Sequence, residues 1–391
     1  MRTWINNAFN TTVLEEKRYS WIDYLRGIAI ILVVYHHVRI GIERIQIKVP
    51  EALVEANMIF YSFRMPLFFL LSGIFINLAF AKKSIKQLVS SKFEMLLYPY
   101  FIWVFIQVSL QIILSDFTNS QRGLEDYTYI FYHPRYLDQF WYLPALFNVS
   151  MFYLLIRSKF NPPAWVHLVI GLVLYFSSPF VLKISMLSDW MEFYIFFAIG
   201  NAITQFFFKP STQKFLSDYF SFFLILPLFV SLQLYYLKND IAEKTLDPDL
   251  GITIYDYLNR MNNQAQFLII ALVGCLMMLI VAFRLQWMNV LSFLRVLGYH
   301  SLYIYVLHVM IIAFVRVVLV NVFNITEPVT ILIVSIFFGV TVPVVFYNVL
   351  VKNGPLWFLF FFKKRKKKEA TVTSGIPELK AQPGMVASHA S

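Results

Sequence analysis

An all-α, polytopic transmembrane helical bundle of about ten spans is the fold class this sequence predicts, and three observations predict it. Hydrophobic residues make up 59 % of the 391 and charged residues only 14 %, against about half and about a quarter in an average soluble domain. Mean hydropathy is +0.64. The apolar residues are gathered in blocks of about 20, roughly the length of helix that crosses a bilayer. The 41 Phe and 23 Tyr exclude a disordered chain. Cys275 is the single cysteine, which excludes an intrachain disulfide and a multi-cysteine zinc site.

Taken in order, residues 1–18 have neither an apolar stretch nor a small-residue cleavage site, which predicts a cytoplasmic segment and no signal peptide. Apolar blocks follow near 21–42, 57–80, 97–115, 140–156, 165–182, 189–207, 219–237, 265–283, 298–320 and 329–351. The fifth is interrupted by Ser177, Ser178 and Pro179, and the ninth carries Arg316. Pro227 in the seventh and Pro343 in the tenth are expected to kink their helices without ending them. Residues 19–352 thus read as one integral-membrane domain, and 353–391 as a basic tail, disordered from Glu369 onward. The run KKRKKK at 363–368 follows the aromatic stretch Trp357–Phe362. That order reads as an interfacial anchor facing anionic membrane lipid, not as a nucleic-acid site. No internal repeat lends support to an inverted-repeat transporter.

Lysine and arginine divide unequally between alternate connections. The set that includes both termini holds 21, the other set nine. The excess places both termini in the cytoplasm, which requires an even number of spans and agrees with ten. Two connections on the outer side, 116–139 and 238–264, are longer than closure of a bundle needs. Their carboxylates, amides and tyrosines suit a hydroxyl-rich ligand and equally suit solvated loops.

Ionisable residues within spans are the candidates for function, because their burial in hydrocarbon is costly. The first span carries Asp23, Arg26 and His37 in IDYLRGIAIILVVYHH. Eleven helical steps separate Arg26 from His37, which leaves about 20° between their faces and about 16 Å along the axis. His36 lies about 80° from Arg26 on the same count. Asp23 precedes Arg26 by three residues, within ion-pairing reach. One polar stripe is therefore expected to lead from the cytoplasmic end to His37, a natural general base near neutral pH. An interfacial Asp23–Arg26 pair and a core histidine bonded to a backbone carbonyl are the structural alternatives. In the ninth span, GYHSLYIYVLH places Ser301, Tyr305 and His308 on one face, with Gly298 permitting close backbone approach. Arg64 is a further buried charge in FRMPLFFLLSGIF, where Ser72 and Gly73 suit tight helix packing. The sequence has no GxSxG elbow, no Walker A run, no HExxH and no metal-ligand cluster.

Six segments in order resemble the membrane-bound acyltransferase-3 family of bacterial surface-glycan O-acyltransferases, nearest its fucose 4-O-acetylase-like branch. They are IDYLRGIAIILVVYHH, FRMPLFFLLSGIF, LLYPYFIW (96–103), FWYLPALF (140–147), FYIFFAIGNAI (193–203) and LGYHSLYIYVLH (297–308). The resemblance spans roughly residues 19–350. This chain departs from the pattern at Arg64, where many relatives have a His before Met-Pro. It departs again before the third span, where a basic Arg-x-x-Arg-like element is reduced to Lys92-Phe93-Glu94-Met95.

The resemblance implies acyl transfer, usually of acetyl, from cytoplasmic acetyl-CoA to a hydroxyl of a surface or lipid-linked glycan in the bacterial inner membrane. Acyl-CoA is then a co-substrate, with no bound cofactor and no metal. On this reading His37 is the catalytic base, and Arg26, oriented by Asp23, holds the donor or developing negative charge. Lys82, Lys83 and Lys92 join Arg26 at the CoA phosphates. Arg64, Trp141, Ser301, Tyr305 and His308 line the substrate pocket. Direct transfer and an acyl-histidine relay both fit. A glycan exporter or flippase without acyl chemistry, proton-coupled or not, is the alternative from another class.

Overall fold

A computed structural model describes residues 8–14, 19–114, 122–239, 241, 254–352 and 354–363. Parts of the two long connections, at 115–121 and 242–253, and most of the 363–368 basic run with its tail lie outside the described residues. Those described are helical, with no strand among them.

The helices are α1 (Ser20–Arg44), α2 (Glu51–Phe80), α3 (Ile85–Lys92), α4 (Tyr98–Ile113), α5 (Tyr142–Phe160), α6 (Ala164–Ser177) and α7 (Ser185–Phe207), then α8 (Pro210–Ser217), α9 (Tyr219–Lys238), α10 (Ile254–Met288), α11 (Phe293–Tyr299), α12 (Ser301–Val317) and α13 (Pro328–Phe346). Among the described residues nine helical stretches are long and apolar enough to cross a membrane. A tenth is the pair α7 and α8, bent by 105° at their junction. The chain is a multi-pass membrane bundle, and each apolar block of the sequence falls on helix, with two boundaries shifted. Large apolar side chains on the outside, such as Phe105, Val173, Phe223 and Ile333, are what a lipid-facing surface requires.

Pro227 and Pro343 lie inside α9 and α13, which continue through them. Two boundaries differ from the apolar pattern. The ninth block is two helices, because the chain breaks at His300 between α11 and α12. The His300 imidazole lies 2.8 Å from the Val296 carbonyl through Nδ1 and against Asn348 through Nε2. A polar latch thus stabilises the break. The approach to α5 is a 3₁₀ stretch, Pro134–Trp141, interrupted by non-helical Leu137 and Asp138.

Helix α1 is the centre of the bundle, touching α2, α10, α11, α12 and α13. Its contact with α11 depends on Gly298, where an added Cβ would lie 1.8 Å from the Asp23 carbonyl oxygen. The crossing of α2 with α7 is equally tight, since a Cβ on Gly73 would lie 2.0 Å from the Phe197 carbonyl oxygen. Small residues permit such approach where apolar burial cannot drive helices together in lipid. Side-chain hydrogen bonds add direction. The Tyr153 hydroxyl reaches Asn77 (2.9 Å) and Asn201 (3.1 Å), and Gln233 donates to Ser62 (3.1 Å).

Candidate active site

Two cavities lie toward opposite ends of α1. The smaller, of about 160 Å³, is lined by Arg26 and Ile30 of α1, Ser72 of α2, Lys83, Lys92, Tyr142 of α5, and Ser301 and Tyr305 of α12. The larger, of about 660 Å³, begins one turn further along α1 and takes in Val33, His36, His37, Gly41 and Arg44. Tyr61 and Arg64 of α2, Gln107 of α4, Arg135, Asp138 and Trp141 of the approach to α5, Glu192 of α7, and Tyr305 and Arg316 of α12 complete it.

Tyr305 borders both cavities, and its ring meets Tyr142 edge-on at 5.4 Å. Tyr305 thus stands where the two cavities adjoin, with Tyr142 beside it in the smaller one. Tyr142 is held by Phe68 and Phe69 at 5.6 and 5.3 Å. The Tyr305 hydroxyl is buried beside the Tyr142 backbone.

Around His37 three imidazoles meet. His37 lies 5.0 Å from His308 and 5.1 Å from His36 between ring centroids. His308 Nδ1 is 2.8 Å from the Tyr305 carbonyl and 3.0 Å from that of Ile304. Carbonyls only accept, so Nδ1 carries the proton, and Nε2 of neutral His308 presents a lone pair. That Nε2 is buried without a hydrogen-bond partner among the described residues. His36 Nδ1 is 3.1 Å from the Asn57 amide oxygen, which also accepts from Arg64 Nη1 at 3.2 Å. His37 has cavity on one side and the His308 ring on the other. Among the described residues no group of three or more His, Cys, Asp or Glu is arranged to hold a metal ion.

The wall opposite the histidines is ionic. Arg135 Nε bonds Asp189, its Nη2 is 3.7 Å from Glu192, and its guanidinium lies 4.3 Å from the Trp141 ring centroid. Asp138 receives Arg44 at 3.3 Å, Arg122 at 3.7 Å and the Gln111 amide at 3.1 Å. Its φ of 56° is a left-handed conformation unusual for a residue with a side chain. These contacts fold the approach to α5 over α1 and α4. Outside the spans, His133 is held below the usual imidazole range, chiefly by desolvation and then by the Arg135 charge.

A family profile described as an acyltransferase domain matches residues 19–348. The chain belongs to the acyltransferase-3 family. Comparison with curated proteins and with solved structures returns no match. Within this acyltransferase the residues singled out from sequence separate into two groups. Arg26, Lys83, Lys92 and Ser301 line the smaller cavity, and Lys82 is exposed outside it. His37, Arg64, Trp141 and Tyr305 line the larger one, with His308 behind His37. Asp23 is buried at the α11 contact. Arg26 and His37, expected on one stripe, therefore line separate cavities, with Tyr305 common to both. Ser301 is on the Arg26 side and not beside His308. His36, Gln107, Asp138, Glu192 and Tyr142 belong to these walls as well. Their spacing along the chain carries no signal for it, since five separate segments bring them together.

Proposed function

We propose that this acyltransferase moves an acyl group, acetyl in the simplest case, from cytoplasmic acyl-CoA to a sugar hydroxyl of a surface or lipid-linked glycan. Both termini are cytoplasmic on this reading, and the membrane is the bacterial inner membrane. The meeting of two cavities at Tyr305 supports it. Each substrate then has its own approach, and the reacting atoms meet beside Tyr305.

Arg26, oriented by Asp23, holds a CoA phosphate through its planar fork, and Lys83 and Lys92 add point charges at the same mouth. The pantetheine arm carries the thioester between Tyr142 and Tyr305 toward His37. A sugar hydroxyl in the larger cavity gives its proton to His37 while its oxygen attacks the thioester carbonyl. The new C–O bond forms, the C–S bond breaks, and the proton on His37 passes to the departing thiolate. His308, with a free lone pair on Nε2, is placed to accept a hydrogen bond from protonated His37. On this reading the Tyr305 hydroxyl donates to oxygen of the tetrahedral intermediate.

The test is release of free CoA thiol by purified protein in nanodiscs, with and without glycan acceptor, alongside direct measurement of acetyl-CoA affinity in Arg26→Lys. Acceptor-dependent thiol release is expected. Loss of the fork should weaken donor binding by about tenfold or more, since a hydrogen bond to a charged group contributes about 1.5–3 kcal/mol. Glycan binding without any consumption of acetyl-CoA would favour an exporter. Unchanged donor affinity in Arg26→Lys would leave Arg26 as a structural residue.

A further inference from the structure

The larger cavity holds more positive charge than proton transfer at His37 uses. Arg44, Arg64, Arg135 and Arg316 line it against two carboxylates, Asp138 and Glu192. Both carboxylates are already engaged. Asp138 is shared by Arg44 and Arg122, and Arg135 lies between Asp189 and Glu192. Arg64 and Arg316 remain, and neither forms an ion pair with a described residue.

Arg64 is only 3 % exposed. Its guanidinium donates to Asn57 and lies 5.2 Å from the Tyr61 ring centroid, two neutral partners. Arg316 lies against Gly41, where a Cβ would sit 2.2 Å from its Nη1. It makes no hydrogen bond to a described residue. Arginine does not escape burial by losing its proton, and a cation in a membrane interior without a counterion is costly. The two flank the histidines. Arg64 shares the Asn57 oxygen with His36, and Arg316 stands at Gly41, one helical turn beyond His37.

We infer that the acceptor bound in this cavity is an anion, a glycan bearing a carboxylate or phosphate whose oxygens are held by Arg64 and Arg316 while a nearby hydroxyl faces His37. That the ligand is an acceptor rests on the acyl-transfer reading; that it is anionic rests on the two arginines. Planar guanidinium forks match either oxyanion bidentately. The charge has two sources with this one chemistry, an acidic sugar or the phosphate that joins a sugar to its lipid.

The experiment uses the full chain in nanodiscs of zwitterionic lipid, so that no anionic headgroup competes. Three matched acceptors are compared with labelled acetyl-CoA: a glucuronate-containing oligosaccharide, its carboxyl-reduced neutral form, and that neutral form linked to polyprenyl phosphate. At least one charged acceptor should exceed the neutral one in kcat/KM by about tenfold or more, and R64Q and R316Q should each erase most of that ratio. R39Q removes a cation of α1 that is paired with Glu43 at 2.6 Å and does not line the cavity. It should keep the preference. Preference for glucuronate alone assigns the charge to the sugar, and preference for polyprenyl phosphate alone to the lipid linkage. Equal use of all three, or a ratio unchanged in both variants, overturns the inference. Calorimetric binding of the same acceptors without donor separates the two readings. Charge-selective binding lost in R316Q, with no acetyl-CoA consumed, upholds the anion site and removes acyl transfer. Equal binding of charged and neutral forms removes the anion site whatever the transfer. If R64Q does not fold, R64K and R316Q decide.

Discussion

At the scale of single residues, adjacent His36 and His37 are given different duties by their contacts. Both line the larger cavity, but His36 is tethered through Nδ1 to Asn57 beside Arg64, while His37 meets the tilted ring of His308. His37→Ala should lower acyl transfer by at least about 100-fold, the scale of a general base, with membrane insertion and yield unchanged. His36→Ala should retain much of the activity. Transfer assays on the two purified variants decide between them, and the reverse order would move the base to His36. The histidines, Arg26 and Arg64 were legible in the sequence, because a polar residue inside an apolar block stands out. Asp138 was not, since a carboxylate in a connection looks like an ordinary surface residue; Glu192, two turns into α7, was passed over although it lies inside the block at 189–207. The Arg26–His37 stripe was half legible. Helical periodicity puts the two on one side of α1, but says nothing of Tyr305, which arrives from more than 260 positions later in the chain and is common to their two cavities.

At the scale of elements, close backbone contacts are the points where a small change should have a large effect. Gly298→Val would place side-chain atoms into the Asp23 carbonyl, already 1.8 Å from a single added Cβ. Separation of α11 from α1 should cost about 1–3 kcal/mol, the usual penalty of overpacking. A lower unfolding midpoint in detergent, with reduced yield, is the expected measurement; an unaltered midpoint would mean that the two helices part easily. The start of α13 makes a prediction of the opposite kind. Glu327 caps it by accepting from Thr330 and, at 3.0 Å, from the Val329 backbone N–H. The hydrogen bonds from Thr330, side chain first, and then from Val329 hold its carboxyl below the usual range. The folded pKa is thus lower than the unfolded one, so the cap stabilises α13 above the ordinary carboxylate range near pH 4.3. That stabilisation is lost as pH falls through the depressed value. Glu327→Gln should flatten this acid limb of the stability profile measured by thermal unfolding. A limb identical to that of the native chain would assign it to other carboxylates.

At the scale of the whole molecule, the charge asymmetry makes a prediction about sidedness. Leu124, in the connection before α5, is 77 % exposed, and buried Cys275 can be removed as Cys275→Ser. Leu124→Cys in that background should react with an impermeant maleimide only from outside the cell. Labelling confined to the cytoplasmic face would invert the orientation and exchange the donor and acceptor cavities. The sequence by itself determined the class and the family, and where the apolar helices lie. Hydrocarbon thickness imposes a length and an apolarity on every span, and both are local properties of the chain. It also determined which polar residues lie in the membrane, because each is an exception within its own block. Only the tertiary structure decided what those residues share. Close approach at Gly298 and Gly73 brings α12 and α7 into place around α1 and α2, and that packing sets Tyr305 beside Tyr142 where the two cavities adjoin. It also leaves Arg64 and Arg316 on the same side as His37. A cavity is bounded by residues far apart in the chain, and its shape follows from how helices cross, which no single helical period encodes.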